Sequence, residues 1–336
     1  MSSNPTPLIE VTDLGKRFDL GSGLFNRRGT LGVVNSVSFN IYPGEVLGLA
    51  GESGSGKTTI GRMILRLLDA TSGSIKFDGA EVTTLGSRAL KAFRAQAQII
   101  FQDPYGSLDP NRTIGQAIEE PLQALGLITD RRKRRAKVIE LLDQVALSER
   151  YIDRYPSALS GGQRQRVGIA RAIAAQPRFI VADEPVSALD VSIQAQIINL
   201  LAELRQSLSL SMLFISHDLA VLNHLADRIA VLYLGRIVEI GPAHQICANP
   251  GHPYTIALLS AVPNPDPDQA STRIVLEGDL PSAAAPPSGC VFRTRCWKAT
   301  AICSEAVPPV VHLADRHWTT CHHVLNKPLS EGEGNA

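Results

Sequence analysis

"VLGLAGESGSGKTTI", residues 46–60, is the stretch around which the rest of the chain is organised. A short apolar run gives way to glycines at 51, 54 and 56, then to Lys57, Thr58 and Thr59 and a helical segment. Strand, glycine turn and helix, in that order, are the context in which G-x-x-x-x-G-K-T holds phosphate. Backbone amides along Gly51, Glu52, Ser53, Gly54, Ser55 and Gly56 close around phosphate oxygens, because glycine lets the chain approach them. Lys57 reaches the β- and γ-phosphates, the Thr58 hydroxyl ligates Mg²⁺, and Thr59 adds a phosphate contact.

Three further apolar runs stand far apart: "AQIIFQ" (97–102), "RFIVADE" (178–184) and "SMLFISH" (211–217). They are continuous rather than alternating, so the strands they predict are covered on both faces and form a parallel sheet with helical crossovers. Their polar ends lie where open α/β sheets bind ligands. By contrast "LIEVTDLGKRF" (8–18) and "VVNSVSFNIY" (33–42) alternate, Pro43-Gly44-Glu45 makes a turn, and "AVLYLGRIVEIG" (230–241) reads as a hairpin.

The strand ends carry the chemistry. Asp183 ends a buried run, where a carboxylate holds Mg²⁺ through water. Glu184 points to the other side and is the natural base for an attacking water. His217 lies within reach of a γ-phosphate, and Gln102 offers an amide to both Mg²⁺ and water. Phe18, in an early strand-end loop, is a candidate for stacking on adenine.

Residues 104–160 break the alternation of strands and helices. Ile114, Ile118, Leu122 and Leu125 share one helical face, and Val138, Leu141, Leu142 and Val145 another, which predicts an inserted helical subdomain. "RRKRR" (131–135) reads as a solvated face rather than a phosphate or membrane patch. "ALSGGQRQRV" (158–167) starts a helix at Ser160 that runs to about Gln176, before Pro177. Two bare glycines, the helix dipole, Arg164 and Arg166 gather positive charge at its start and predict an anion site there.

Composition excludes several classes. The chain has 336 residues, 44% hydrophobic and 19% charged, as in an ordinary globular protein. Its 33 basic and 32 acidic side chains give no global field for nucleic acid. "MSSNPTPLIE" lacks the features of a signal peptide, and no apolar run reaches the roughly 18 residues of a membrane span. The expectation is a cytosolic protein whose five cysteines are thiols or metal ligands.

These motifs in this order resemble the ATP-binding-cassette ATPases: phosphate loop 51–59, Gln102, "LSGGQ" 159–163, Asp183-Glu184, "SALD" 187–190 and His217. The resemblance covers about residues 8–255. It implies an α/β phosphate-loop NTPase (RecA-like) core with an antiparallel β subdomain and an inserted α-helical subdomain at about 104–176. It also implies ATP and Mg²⁺ as ligands and a head-to-tail pair of cassettes. In such a pair Ser160, Gly161, Gly162 and Gln163 of one copy cap the γ-phosphate in the other's loop, with Asp190 at the same seam.

A narrower resemblance, in "FQDPYGSLDP", "NPGHPYTIALLSAVP" and the cysteine-bearing tail, is to ATPase subunits of oligopeptide and dipeptide importers. Nickel and glutathione importers share these signals. The resemblance implies ATP hydrolysis coupled to uptake, docking under two membrane permeases at the cytoplasmic face of the inner membrane, and an extracytoplasmic solute-binding protein. Two rivals lack support. A cassette protein of DNA repair or translation calls for a coiled coil, zinc modules or a second cassette, and a metabolic kinase has no use for "LSGGQ".

A cassette at 1–255 and an extension at 256–336 are therefore expected, joined by a proline- and alanine-rich arm over 263–289. Cys290, Cys296, Cys303 and Cys321 are spaced by five, six and seventeen residues, unlike the paired spacing of common zinc sites. Three readings stay open for 290–321: a [4Fe–4S] cluster, which some importers of this group carry there, a zinc ion with His322 or His323, or no metal. Cys247 stands apart as an ordinary thiol.

Overall fold

The computed structural model describes residues 6–20, 29–262 and 273–325. Its strands in chain order are β1 (Ile9–Leu20), β2 (Gly29–Ile41), β3 (Val46–Ala50), β4 (Ser72–Phe77), β5 (Ala80–Glu81) and β6 (Ala97–Ile100). They continue as β7 (Phe179–Asp183), β8 (Ser211–Ser216), β9 (Arg228–Tyr233), β10 (Arg236–Pro242), β11 (Val310–Ala314) and β12 (His317–Thr320).

The four apolar runs became β3, β6, β7 and β8, which lie parallel in an eight-stranded sheet of order β11-β12-β10-β9-β3-β8-β7-β6. Every residue of β3, β7 and β8 is buried, as covered strands require. The predicted hairpin is β9–β10; β9 also pairs parallel with β3, so the hairpin hangs the sheet's antiparallel edge on its centre. β1 and β2 pair antiparallel in a separate four-stranded sheet of order β2-β1-β4-β5. Its inner face packs with Ile60, Met63 and Ile64 of the helix Lys57–Ile64 in one core cluster.

The insertion is helical, as its periodicity required. Thr113 opens the helix Ile114–Ala124 with a reciprocal capping box to Gln116. Asp130 caps Arg131–Gln144 through the Lys133 amide at 2.8 Å. Ile114, Ile118, Leu122, Val138, Leu141, Leu142 and Val145 are buried, while Leu125, at the helix end, is only half-buried. In the basic run, Arg134 pairs with Glu119 and donates to the Ile128 carbonyl, and Arg135 pairs with Asp153 at 3.0 Å. The run is thus partly a brace between helices.

The C-terminal region does not stand apart. β12 pairs with β10, so the last described strands widen the core sheet, and residue 255 falls inside the helix Pro253–Ser260. The join is polar. Glu239 of β10, fully buried, accepts from the Gly251 amide at 2.6 Å, the His252 amide at 3.0 Å and the Thr255 hydroxyl at 2.6 Å. The His317 Nε2 of β12 lies 2.8 Å from the same carboxylate. Burial of this polar group is tolerated because both of its side-chain oxygens are met. Of the expected arm, residues 263–272, with prolines 263, 265 and 267, lie outside the described residues.

His252 caps the helix Pro253–Ser260, its Nδ1 accepting from the Tyr254 amide at 3.0 Å. Burial pushes its imidazole down to about 4 from the usual 6.5, with Glu239 opposing. A depressed folded-state value means that the unfolded chain binds the proton first. Stability present above pH 6.5 is therefore lost as pH falls toward 4, by about 3 kcal/mol for this group. His252→Asn keeps an oxygen acceptor at the cap but cannot titrate. Thermal melts at pH 7 and pH 4.5 are expected to differ by less in this variant than in the parent protein; equal differences would remove His252 from the acid response.

Candidate active site

A cleft of about 870 Å³ opens at the carboxyl ends of β3, β7 and β8. It is lined by Gly51, Glu52, Ser53, Gly54, Gly56, Lys57, Thr58, Thr59, Gln102, Glu184 and His217, so most of the residues singled out from sequence meet there. Gly51 and Gly56 are required by close approach: a Cβ would sit 2.3 Å from the Leu232 carbonyl oxygen at one and 2.7 Å from that of Val33 at the other. Ser55 turns inward, and its buried hydroxyl has no hydrogen-bond partner.

Lys57 Nζ donates to the carbonyls of Gly51 at 2.7 Å and Glu52 at 2.9 Å and lies 3.6 Å from Glu184 Oε1. Burial lowers its ammonium's pKa, against the pull of Glu184. Thr58 Oγ1 donates to Asp183 Oδ1 at 2.8 Å, and burial raises that carboxyl against the hydrogen bond. A hydroxyl beside a carboxylate offers hard oxygen donors of the kind Mg²⁺ takes.

Glu184 departs from the strand. Its φ of 44° is in the left-handed region, its amide donates to the Ile215 carbonyl at 3.1 Å, and its own carbonyl accepts from Ser187 Oγ at 3.1 Å. Such a conformation costs about 1–3 kcal/mol in a residue with a side chain, and it swings the carboxylate away from Asp183 into the cleft. There Gln102 Nε2 donates to Oε2 at 3.0 Å, and His217 Nδ1 lies 3.6 Å from the same oxygen. A carboxylate gripped by an amide and an imidazole is suited to orient and deprotonate water.

Two expectations need correction. Phe18 is not in a strand-end loop: β1 continues to Leu20, and Phe18 pairs with Leu31. Its exposed ring carries the Lys16 ammonium 5.0 Å from the centroid and does not line the cleft. The amide of Glu52 is not offered to the cleft either, since it donates to the Tyr254 hydroxyl at 2.9 Å.

The signature helix runs Gly161–Ile173, three residues short of Gln176, which takes φ 51° before Pro177. Ser160 is its N-cap, in a capping box with Gln163. Gly162 is a packing glycine, since a Cβ there would lie 2.6 Å from Ile193 Cγ2. The arginines do not gather at the helix start. Arg164 Nε donates to the Pro156 carbonyl at 2.7 Å with its guanidinium 4.0 Å over Tyr105, and Arg166 donates to the Val145 carbonyl at 2.8 Å. Their long side chains are used as braces, which leaves the amides of half-buried Gly161 and Gly162 and the helix dipole as the attraction for an anion. None of residues 159–163 lines the cleft, nor does Asp190, exposed at the start of the helix Val191–Leu208.

Comparison with known proteins bears on this arrangement. A family model described as ABC transporter matches residues 34–187, and one described as oligopeptide/dipeptide transporter, C-terminal region, matches 238–303. A Brucella ovis protein named as a peptide import ATP-binding protein is 54% identical over 94% of this chain and 98% of its own. The oligopeptide transport ATP-binding protein AppF of Bacillus subtilis is 48% identical over 96% of this chain and 98% of its own. A dimeric ATP-binding cassette in a post-hydrolysis state, bound to ADP and Pi, matches with a TM-score of 0.63 and 30% identity over 70% of this chain and 98% of that one.

The chain belongs to the ATP-binding-cassette family.

As a cassette ATPase it hydrolyses ATP to drive transport, and its fold is the phosphate-loop α/β core expected from sequence. Among the described residues no helix is long and apolar enough to cross a membrane. Ser187 and Ala188 of the "SALD" motif, and Val33, Asp103 and Leu258 outside the cassette motifs, also line the cleft, and none of the five was among the candidate site residues. Tyr254 lay in a stretch noted only as a group marker.

In the tail, Cys290, Cys296, Cys303 and Cys321 line one small pocket with His322 and His323. Burial pushes the thiols of Cys290 and Cys296 up, and that of Cys321 up to about 11. His323 Nε2 is bonded to Thr300 at 2.7 Å and His322 Nε2 to the Ala306 carbonyl at 3.0 Å. Among the described residues no three His, Cys, Asp or Glu side chains are arranged to hold one metal ion. The half-buried Cys247 does not line this pocket.

Proposed function

We propose that this cassette is the ATPase subunit of a di- or oligopeptide importer and that it hydrolyses ATP only when paired with a second cassette, identical or related. One observation carries the pairing. The cleft gathers the phosphate-binding and water-orienting groups, yet Ser160–Gln163 lie outside it on the same chain. A helix start that leaves the Gly161 and Gly162 amides outside its capping box attracts an anion, and the second copy's cleft offers one. The exposed Asp190 and Val191, the latter 82% accessible, belong to that seam.

In this reading Lys57 and the loop amides bind phosphate, Thr58, Asp183 and Gln102 hold Mg²⁺, Glu184 is the general base, and His217 and Gln102 orient its carboxylate and the water. Bound Mg²⁺ neutralises charge on the phosphates. The relatives' names and the matched C-terminal region support peptides as the cargo; two membrane permeases as partners, a solute-binding protein outside and a station at the cytoplasmic face of the membrane belong to the same reading. The division into a cassette of 1–255 and an extension of 256–336 is functional in this reading, not a break in the sheet.

The tail cysteines are assigned to a [4Fe–4S] cluster. Four soft donors line one pocket, and such a cluster takes one thiolate per iron rather than four around one ion. When bound it would staple a segment poor in apolar residues.

In cells lacking the gene, uptake of a labelled oligopeptide is expected to stop, to return with the wild-type chain and not to return with Glu184→Gln. Purification from the same cells without oxygen should bring down two permeases and iron with sulfide. Intact peptide uptake with lost nickel or glutathione uptake would move the cargo, and recovery with ribosomes or DNA instead of permeases would end the importer reading.

A further inference from the structure

The second residue of the phosphate loop is held from outside the cassette motifs. The Glu52 amide donates to Tyr254 Oη at 2.9 Å, and the Glu52 carboxylate is 2.8 Å from Arg295 Nη1. Its carbonyl is one of the two that receive Lys57 Nζ. Three different side chains thus hold one residue, through its amide, its carbonyl and its carboxylate, and two of them, Tyr254 and Arg295, lie in the matched C-terminal stretch 238–303.

Neither contact is free to drift. The Tyr254 ring is fully buried, 4.8 Å from Tyr233 and 5.4 Å from Phe292 between centroids, with Tyr233 and Phe292 5.2 Å apart. Its helix is capped by His252, whose amide is tied to buried Glu239. Arg295, whose side chain is only 9% exposed, follows Phe292 on the turn between Cys290 and Cys296. Leu280 lies against the loop as well, 3.7 Å from where a Gly54 Cβ would stand.

The chemistry gives the contact a purpose. A carboxylate inside a loop that must take two or three phosphates is an electrostatic liability, and Arg295 offsets it at hydrogen-bond distance. An amide pinned by a buried phenol also leaves the loop one fewer conformation to give up when nucleotide binds.

We propose that Tyr254 and Arg295 are positioning residues for ATP: acting through Glu52, the C-terminal region sets the shape and charge of the phosphate loop and thereby its nucleotide affinity. This rests on the assignment of ATP to the cleft.

The test is titration of the full-length protein with Mg·ADP, which is not consumed, together with KM and kcat for ATP. Arg295→Gln leaves Glu52 unpaired and is expected to weaken ADP binding about fivefold to tenfold, the net worth of one ordinary hydrogen bond. Tyr254→Phe keeps the aromatic stack and is expected to raise Kd and KM about threefold to tenfold while kcat moves less than twofold. Adding Glu52→Gln to Arg295→Gln removes the unpaired charge and should bring Kd back to within about twofold of wild type. A purely structural role for the turn predicts no such rescue. Unchanged ADP affinity in both single variants, or a double variant as weak as Arg295→Gln alone, overturns the proposal. If the wild-type chain itself bound no nucleotide, the ATPase reading would be the one to fall.

Discussion

Glu184→Gln is expected to bind Mg·ATP, form a dimer that persists, and turn over about 10²- to 10⁴-fold more slowly than wild type, the range in which a positioned general base contributes. The isosteric amide keeps the shape of the strand end and still meets Gln102 and His217, but it has no lone-pair charge to take a proton. Removing the carboxylate also frees Lys57 from the ion pair at 3.6 Å, so the phosphate site is not weakened. Closed dimers accumulate because the step that would part them has stopped. Single-turnover hydrolysis and gel filtration in ATP check both halves. Wild-type turnover by this variant would strip Glu184 of the role of base.

Ser160→Arg is expected to abolish turnover, by more than about 10²-fold, while Mg·ADP binding by the isolated chain stays within about twofold of wild type. The long cation fills the space over the helix start, and loss of the cap itself costs only about 1 kcal/mol. The outcome separates two geometries. If the helix start served its own cleft, binding by one chain would suffer too; if it serves another copy's cleft, only the paired reaction does. Wild-type turnover per chain should likewise rise with protein concentration until pairing saturates. Loss of ADP binding by the lone Ser160→Arg chain would point to an internal phosphate site and dissolve the pairing argument.

Much of this cassette was legible before any coordinates. The loop 51–59, the acids at 183 and 184 and the four apolar runs are local patterns, each encoded within a dozen residues, and chain order alone put them on strand ends. Burial of Ile114, Ile118 and Leu122 follows in the same way from helical spacing. Where reading went astray, a side chain's direction mattered more than its identity. Arg164 and Arg166 stand at a helix start in sequence, yet their side chains reach the Pro156 and Val145 carbonyls, because buried carbonyls without partners cost more than the dipole repels. Phe18 was misjudged because strand length depends on the partner strand, and β2 carries the ladder on to Leu20.

What the sequence determined by itself was the inventory: a phosphate loop, its metal and water partners, and a signature helix whose start suits an anion. The tertiary structure alone decided which of these share a cleft, and that Ser160–Gln163 do not. It alone joined Tyr254 and Arg295 to Glu52, across 202 and 243 residues of chain. Periodicity reports the face a residue presents; it carries no record of which distant face is packed against it, since that is settled by the burial and hydrogen bonding of the whole chain at once.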